Sequence, residues 1–498
     1  MTDGRMQFEF RFGRPRHPAS RPDGGEPFRI LVLGDLTGRD PAQRSVPQAQ
    51  RKPLRVDVDN LERVFDRLSP RLDLTVAGAP LTIELRSLDD FHPDALFRCL
   101  APFAALRKLR AELANPAQFR RAAAALGAPP GAESSVTPSQ VEETAADVER
   151  LLGRRPEEAP AAAPGAALME RWLRELVAPH VVADTAREQE HYIAAADAAI
   201  AEQMRRLLHH PAFQALEATW RGISRLVTQL ETGEALQVFL LDVARDELAA
   251  DIALAGDDPN RSVLYRHLCG PDTEPPDGRR WSLLVADFTF GPGAEEVPLL
   301  AALGALAARA GAPLLAAASI EALGCAGIGQ LPEPASWLPL APEVEARWAA
   351  LRASAGAPWI GLALPRVLAR LPYGANSDPI ETFAFEELSE SREHEAYLWG
   401  NPAFALALLA AQAFQEDGWD MDLDRRLDVA DLPGHSFRED AESKLQPCAE
   451  VLLSESVGEE VLARGIMPLL SYRSRNAARL LRWQSLADPA RTLQGVWA

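Results

Sequence analysis

The stretch HHPAFQALEATWRG, residues 209–222, places two adjacent histidines, His209 and His210, upstream of a carboxylate, Glu217. An imidazole pair beside a carboxylate is the raw material of a zinc site. With a zinc-bound water it would make a metal-dependent hydrolase. Zinc, however, needs three or four ligands converging at about 2 Å. Glu217 stands two turns beyond the pair, and no further His, Cys or Asp recurs at ligand spacing. The flanking pattern gives the histidines a plainer role. Ile193, Ala196, Ile200, Met204 and Leu207 precede them at helical spacing, and Phe213, Leu216, Trp220, Ile223, Val227 and Leu230 follow in the same way. Pro211 falls where a second helix would start, because its missing N–H costs nothing at the first helical position. The pair is therefore expected at a corner between two helices, with no metal and no cofactor. The cytosolic hydrolase using His209 and His210 stands as the competing reading.

Other fragments resemble catalytic motifs without completing them. HEAYL (394–398) begins like H-E-x-x-H but ends on Leu398, so the second ligand is missing. PGHSF (433–437) lacks the spacing of G-x-S-x-G. GDLTGRD (34–40) and FGPGAEE (290–296) are glycine turns after strands, a place where phosphates can meet helix N-termini. Neither has G-x-G-x-x-G, and the glutamates of the second would repel an anion. Only three lysines occur, Lys52, Lys108 and Lys444, and none completes a Walker A loop. Cys99, Cys269, Cys325 and Cys448 are far apart, which fits a reducing cytoplasm better than a disulfide scaffold. No catalytic constellation emerges, so the chain is not expected to be an enzyme.

The 498 residues exceed the size of one typical core. A hydrophobic fraction of 47% and a charged fraction of 25% are those of a globular protein. The net charge of −19 argues against a nucleic-acid binder. Residues 1–55 nevertheless carry a local excess of +5, a basic arm on an acidic body that suits contact between subunits. MQFEFRFGR (6–14) alternates Phe8, Phe10 and Phe12 with charged residues, the period of a strand with one apolar face. Cut off by a Pro/Gly/Arg-rich arm, it suits pairing with a neighbouring chain's sheet as well as with its own.

PFRILVLGDLTGR (27–39) reads as a buried strand ending in a turn. VDVDNLERVFDRLSP (56–70) reads as a helix with Asp57 or Asp59 near its N-cap, and residues 81–100 as strand, turn and a helix opened by Pro93. The run 298–319 is apolar, but Arg309 and Pro313 favour a buried helix and a strand over a membrane span. Residues 279–291 and 357–374 hold further buried strands, 397–419 a turn and a buried Ala/Leu helix, and 424–434 a solvated acidic loop. The class is α/β, with a small α/β domain (1–126) followed by a larger, helix-rich α/β domain (168–498). Between them, 127–167 is a Pro/Ala-rich linker around one short amphipathic helix. That helix shows Val141, Ala145, Val148, Leu151 and Leu152 on one side, suited to packing on its own domain or docking on a partner.

PFRILVLGDLTGR, RVDVDNLERVFDRLSP and RSLDDFHPDAL together resemble the small sheath subunit of the bacterial type VI secretion system, the TssB family. HHPAFQALEATWRGISRLV, VADFTFG, LPRVLARLPYG, FAFEE, YLWGNPAFALA and GWDMDLD resemble the large sheath subunit, the TssC family, in the family's order. The chain looks like a fusion of the two, and its larger domain is expected to be of sheath type. The resemblance implies a cytoplasmic, non-enzymatic subunit. Such subunits self-assemble into a helical sheath around an inner-tube protein on a baseplate, and contraction propels the tube. A ClpV-like AAA+ unfoldase then recycles the sheath. It also implies a large subunit that usually runs further at its C-terminus, so a non-contractile adaptor or cap of the same machine is the alternative. Val141, Val148, Leu151 and Leu152 lie at a place comparable to the family's unfoldase-binding helix.

Overall fold

A computed structural model describes residues 25–39, 44, 46–76, 78–127, 188–256, 258–270, 280–388, 393–439 and 442–497. The Phe8, Phe10, Phe12 segment and the helix with Val141, Val148, Leu151 and Leu152 lie outside the described residues.

A nine-stranded sheet organises the larger of two compact units. It contains β1 (Phe28–Gly34), β2 (Leu54–Val56), β5 (Leu236–Asp242), β6 (Leu283–Phe290), β7 (Leu314–Ala318), β8 (Ile360–Leu364), β11 (Asp428–Val429), β14 (Ile466–Ser471) and β15 (Ala478–Leu480). Their order is β11-β15-β14-β8-β7-β6-β1-β5-β2. The six central strands are mutually parallel, and antiparallel strands close both flanks. Three two-stranded ladders complete the strands: β3 (Arg71–Val76) with β4 (Ala79–Glu84), β9 (Val367–Leu368) with β10 (Trp399–Gly400), and β12 (Ser436–Glu439) with β13 (Glu442–Leu445).

The continuous apolar runs of the central strands follow from this topology, since a parallel sheet is covered on both faces. Every residue of β1 is buried. Leu31 and Leu33 join the core around the Glu296–Ala310 and Val263–Cys269 helices. Phe28, of opposite parity, meets Phe414 and Trp419 at ring distances of 5.0 and 5.7 Å. The Pro402–Asp417 helix covers β6 and β7 and also packs on the Pro211–Thr228 helix. Gly222 makes that last approach possible, because a Cβ there would stand 2.6 Å from the Phe404 ring.

The compact units do not follow the boundaries expected from the sequence. One gathers the described residues of 1–91, 208–378 and 388–498; the other gathers 92–207 and 379–387. β1, from the segment expected to close on itself, is wedged between β5 and β6, in register from Phe28↔Leu236 to Gly34↔Asp242. A lone buried strand satisfies its backbone only by pairing, and those partners come from residues 236–290. The smaller unit is helical, with Pro93–Cys99, Ala101–Ala114, Phe119–Gly127 and most of Glu188–Leu208. Within it, Asp94 accepts from the Glu381 and Thr382 amides, Phe97 packs on Phe383, and Arg110 pairs with Asp197.

Among the described residues no helix is long and apolar enough to cross a membrane. The apolar 298–319 run is the Glu296–Ala310 helix followed by β7. Residues 424–434 differ from the solvated loop expected. β11 pairs there with β15, and Val429 and Leu432 are buried, which the acidic composition of the segment concealed.

Candidate functional site

The histidine corner is built as a helix cap. The Glu188–Leu208 helix ends just before it, and the Pro211–Thr228 helix starts with Pro211 in its first turn. His210 is extended, and its Nδ1 accepts a hydrogen bond from the Ala212 amide at 3.3 Å. That satisfies one of the free amides every helix start exposes. Phe213, Leu216, Trp220, Ile223, Val227 and Leu230 are all buried. Among the described residues, no three His, Cys, Asp or Glu side chains group so as to hold a metal.

Glu217 does not face the histidines. It is completely buried, with Oε1 2.7 Å from both Arg370 Nε and Arg221 Nε, and Oε2 3.3 Å from Arg370 Nη2. Arg221 also donates to the Tyr373 hydroxyl at 3.1 Å, and the Arg370 guanidinium stands 4.1 Å from the Tyr373 ring centre. Burial alone would push the Glu217 carboxyl up; the charges of Arg370 and Arg221 overturn this and hold it below the ordinary carboxylate range. The sequence reading missed this cluster, yet a signal existed. Glu217 lies four residues after Phe213 and three before Trp220, on the apolar face, where a carboxylate requires a cation.

The same helix anchors two further motifs. Trp220 Nε1 donates to the Leu36 carbonyl at 3.0 Å, tying it to the turn after β1. Thr219 shares its hydroxyl between the Ala215 carbonyl and the carboxylate of Asp287, the acid of VADFTFG. Asn401, from YLWGNP, caps the Pro402–Asp417 helix and reaches the same neighbourhood through the Ala286 and Phe288 carbonyls. Among the described residues no cation lowers the Asp287 carboxyl. Burial raises its carboxyl to about 6, and hydrogen bonds from Thr219 and Asn401 offset only part of that.

The remaining fragments also resolve into structure. In GDLTGRD, Asp35 Oδ1 accepts from the Gly38 amide at 2.9 Å. Gly38 has φ +64, and a Cβ there would stand 2.7 Å from Leu72, so only glycine fits. Beside that turn, Arg44 contacts Asp35, Asp242 and Glu247 at 2.5, 3.0 and 3.3 Å, and Arg51 contacts Glu247 at 2.7 Å. In FGPGAEE, Glu296 accepts from the Gly291 amide and pairs with Arg245, so the turn holds its own carboxylate. His394 and Arg366 both bind the buried Glu450, while His435 Nδ1 meets the Tyr397 hydroxyl at 2.9 Å. These arrangements hold loops against the sheet and present no nucleophile paired with a base.

Residues 190–487 match the family described as EvpB/VC_A0108, tail sheath N-terminal domain (VipB). Residues 24–121 match the family described as Type VI secretion system, VipA, VC_A0107 or Hcp2. The type VI secretion system sheath protein TssC1 of Pseudomonas aeruginosa is 33% identical over 313 residues, covering 62% of this chain and 63% of that protein. The sheath protein TssB1 of the same organism is 34% identical over 96 residues, covering 18% of this chain and 55% of that protein. The chain thus spans less than two thirds of either relative. The corner, the Glu217 cluster and the Asp287 contact all fall within the first match, whereas β1 and its turn fall within the second. The chain belongs to the VipB/EvpB tail sheath family, with a VipA-type segment fused ahead of the VipB-type one.

Proposed function

We propose that this protein is a structural subunit of a contractile sheath, with the small- and large-subunit roles carried by one chain. The observation that carries the reading is the place of β1. A strand of the VipA-type segment sits inside a sheet whose other central strands come from the VipB-type segment. β1 is therefore held to the VipB-type strands on either side of it, as a subunit transmitting force requires. In this reading the subunit works in the cytoplasm, assembles helically around an inner-tube protein on a baseplate, and is released by a ClpV-like unfoldase. It needs no catalytic residue, because the work comes from repacking between neighbouring subunits. The buried ion pairs then serve to keep each subunit rigid.

Electron microscopy of the purified chain, alone and with the inner-tube protein, tests this. Helical tubes are expected; monomers alone at high concentration in both samples would overturn it. The Phe8, Phe10 and Phe12 segment is assigned to pairing with a neighbouring subunit. Deleting residues 1–14 should leave a folded protein that no longer assembles, and assembly at the parent level would refute that assignment. The linker helix is assigned to the unfoldase. Val148→Asp with Leu151→Asp should abolish unfoldase binding in a pull-down while leaving circular dichroism unchanged, and undiminished binding would dismiss it.

A further inference from the structure

The turn after β1 borders a cavity of about 240 Å³ whose walls are strongly basic. Arg39, Arg44, Arg51, Lys52 and Arg67 line it, and Asp242 is its one acidic lining residue among those described. Arg44 and Arg51 are already answered by Asp35, Asp242 and Glu247 through the ion pairs above. Arg39, Lys52 and Arg67 have no carboxylate within ion-pair distance among the described residues, although Asp73 feels the field of Arg39. Lys52 and Arg67 are exposed at the rim. Two donors in the wall are also unmet. Among the described residues the Thr37 hydroxyl oxygen and Arg39 Nε are both buried without a hydrogen-bond partner, and Thr37 as a residue is only 6% exposed. Buried donors without acceptors are destabilising, so their occurrence at a basic cavity calls for an acceptor-rich guest.

We propose that this cavity binds a small oxyanion of the phosphate class. Three cations that no carboxylate of the described residues pairs with, Arg39 among them with its Nη2 on the Ser69 carbonyl, and two spare donors exceed what a single carboxylate can accept, whereas a phosphate offers several oxygens and up to two charges. The volume is below the usual range for drug-sized ligands, which selects a compact anion over a nucleotide. The place in the fold agrees, because Thr37 follows the carboxyl end of β1 and Asp242 ends the parallel β5, the edge where open α/β sheets hold ligands. Asp35, Asp242 and Glu247 outnumber Arg44 and Arg51 by one charge, and Arg39, Lys52 and Arg67 outweigh that remainder, so the wall stays net basic towards the guest. Residues 37–67 belong to the VipA-type match and Asp242 to the VipB-type match, so the anion would clamp the two segments together. The site stands independently of sheath assembly.

Thermal unfolding of the full chain, titrated with sodium phosphate against sodium chloride at matched ionic strength, tests the proposal. A saturable rise in melting temperature with phosphate alone is expected. Lys52→Ala with Arg67→Ala, both exposed, should raise the half-saturating phosphate concentration at least tenfold without changing the melting temperature in chloride. Thr37→Val should weaken the response while leaving the phosphate-free protein as stable as before or more so. Phosphoserine is the second probe. A response to both ligands supports a site open to a phosphoryl group on a larger molecule, and a response to phosphate alone supports a closed site for the free ion. No saturable response in the parent chain, or an identical midpoint in the double variant, overturns the proposal.

Discussion

Asp287→Asn should stabilise the protein at neutral pH and leave it unaffected in acid. The Asp287 carboxyl is raised from 3.8 to about 6 by burial without a cation. Below pH 3.8 it is protonated in both the folded and the unfolded chain, so it contributes no pH dependence there. As pH rises towards 6 the unfolded chain ionises first, and the folded state progressively loses relative stability. Above about pH 6 the full difference applies. The rise from 3.8 to about 6, at roughly 1.4 kcal/mol per pH unit, gives at most about 3 kcal/mol, reduced because Asp287 is only half-buried as a residue. Asparagine mimics the protonated acid, because its amide can donate to Thr219 and its oxygen can accept from Asn401. Urea unfolding followed by tryptophan fluorescence at pH 4 and pH 7.5, for both proteins, reads the effect. Other titrating groups are common to the two and cancel in the difference. The variant should gain 1–3 kcal/mol relative to the parent between pH 4 and pH 7.5, about the span set by that shift. A difference independent of pH would refute the reasoning.

Two further substitutions probe the corner and the buried ion pair. Glu217→Gln removes the charge that answers Arg370, which is 5% exposed, and should cost about 3–5 kcal/mol in urea unfolding at pH 7. Because the Glu217 carboxyl is held low, that cost should shrink only at strongly acid pH, below its ordinary range. His210→Ala removes the helix cap and should cost about 1 kcal/mol without changing the metal content measured by mass spectrometry. Loss of stoichiometric zinc on that substitution would restore the hydrolase reading.

Much of the local structure is legible in the sequence. The Phe213–Leu230 stripe, with Pro211 at its head, specifies a helix starting at a corner. The 298–319 run resolves into helix and strand because Pro313 cannot continue a helix. The position of Glu217 on its apolar stripe marks it as buried. Its partner Arg370, 153 residues away, carries no such mark. The helix at 56–70 is shorter than its pattern, running from Leu61 to Leu68. Asp57 spends its carboxylate on the Asp59 and Asn60 amides ahead of the helix and does not cap it.

By itself the sequence determined the α/β class, the order of the elements, the helix corner at His209 and His210, and the two sheath-type segments. The class, the elements and the corner depend on short-range spacing, which fixes which face of a helix or strand is apolar, and the sheath-type segments on the resemblance of their motifs. Only the tertiary structure decided that β1 lies between β5 and β6, that Asp287 shares a hydroxyl with Ala215, and that the basic side chains of residues 39–67 surround one cavity with the distant Asp242. Buried parallel strands are interchangeable apolar runs, so pairing is chosen by the packing of the whole sheet. The charge state of a carboxylate likewise depends on which distant groups the fold brings to it.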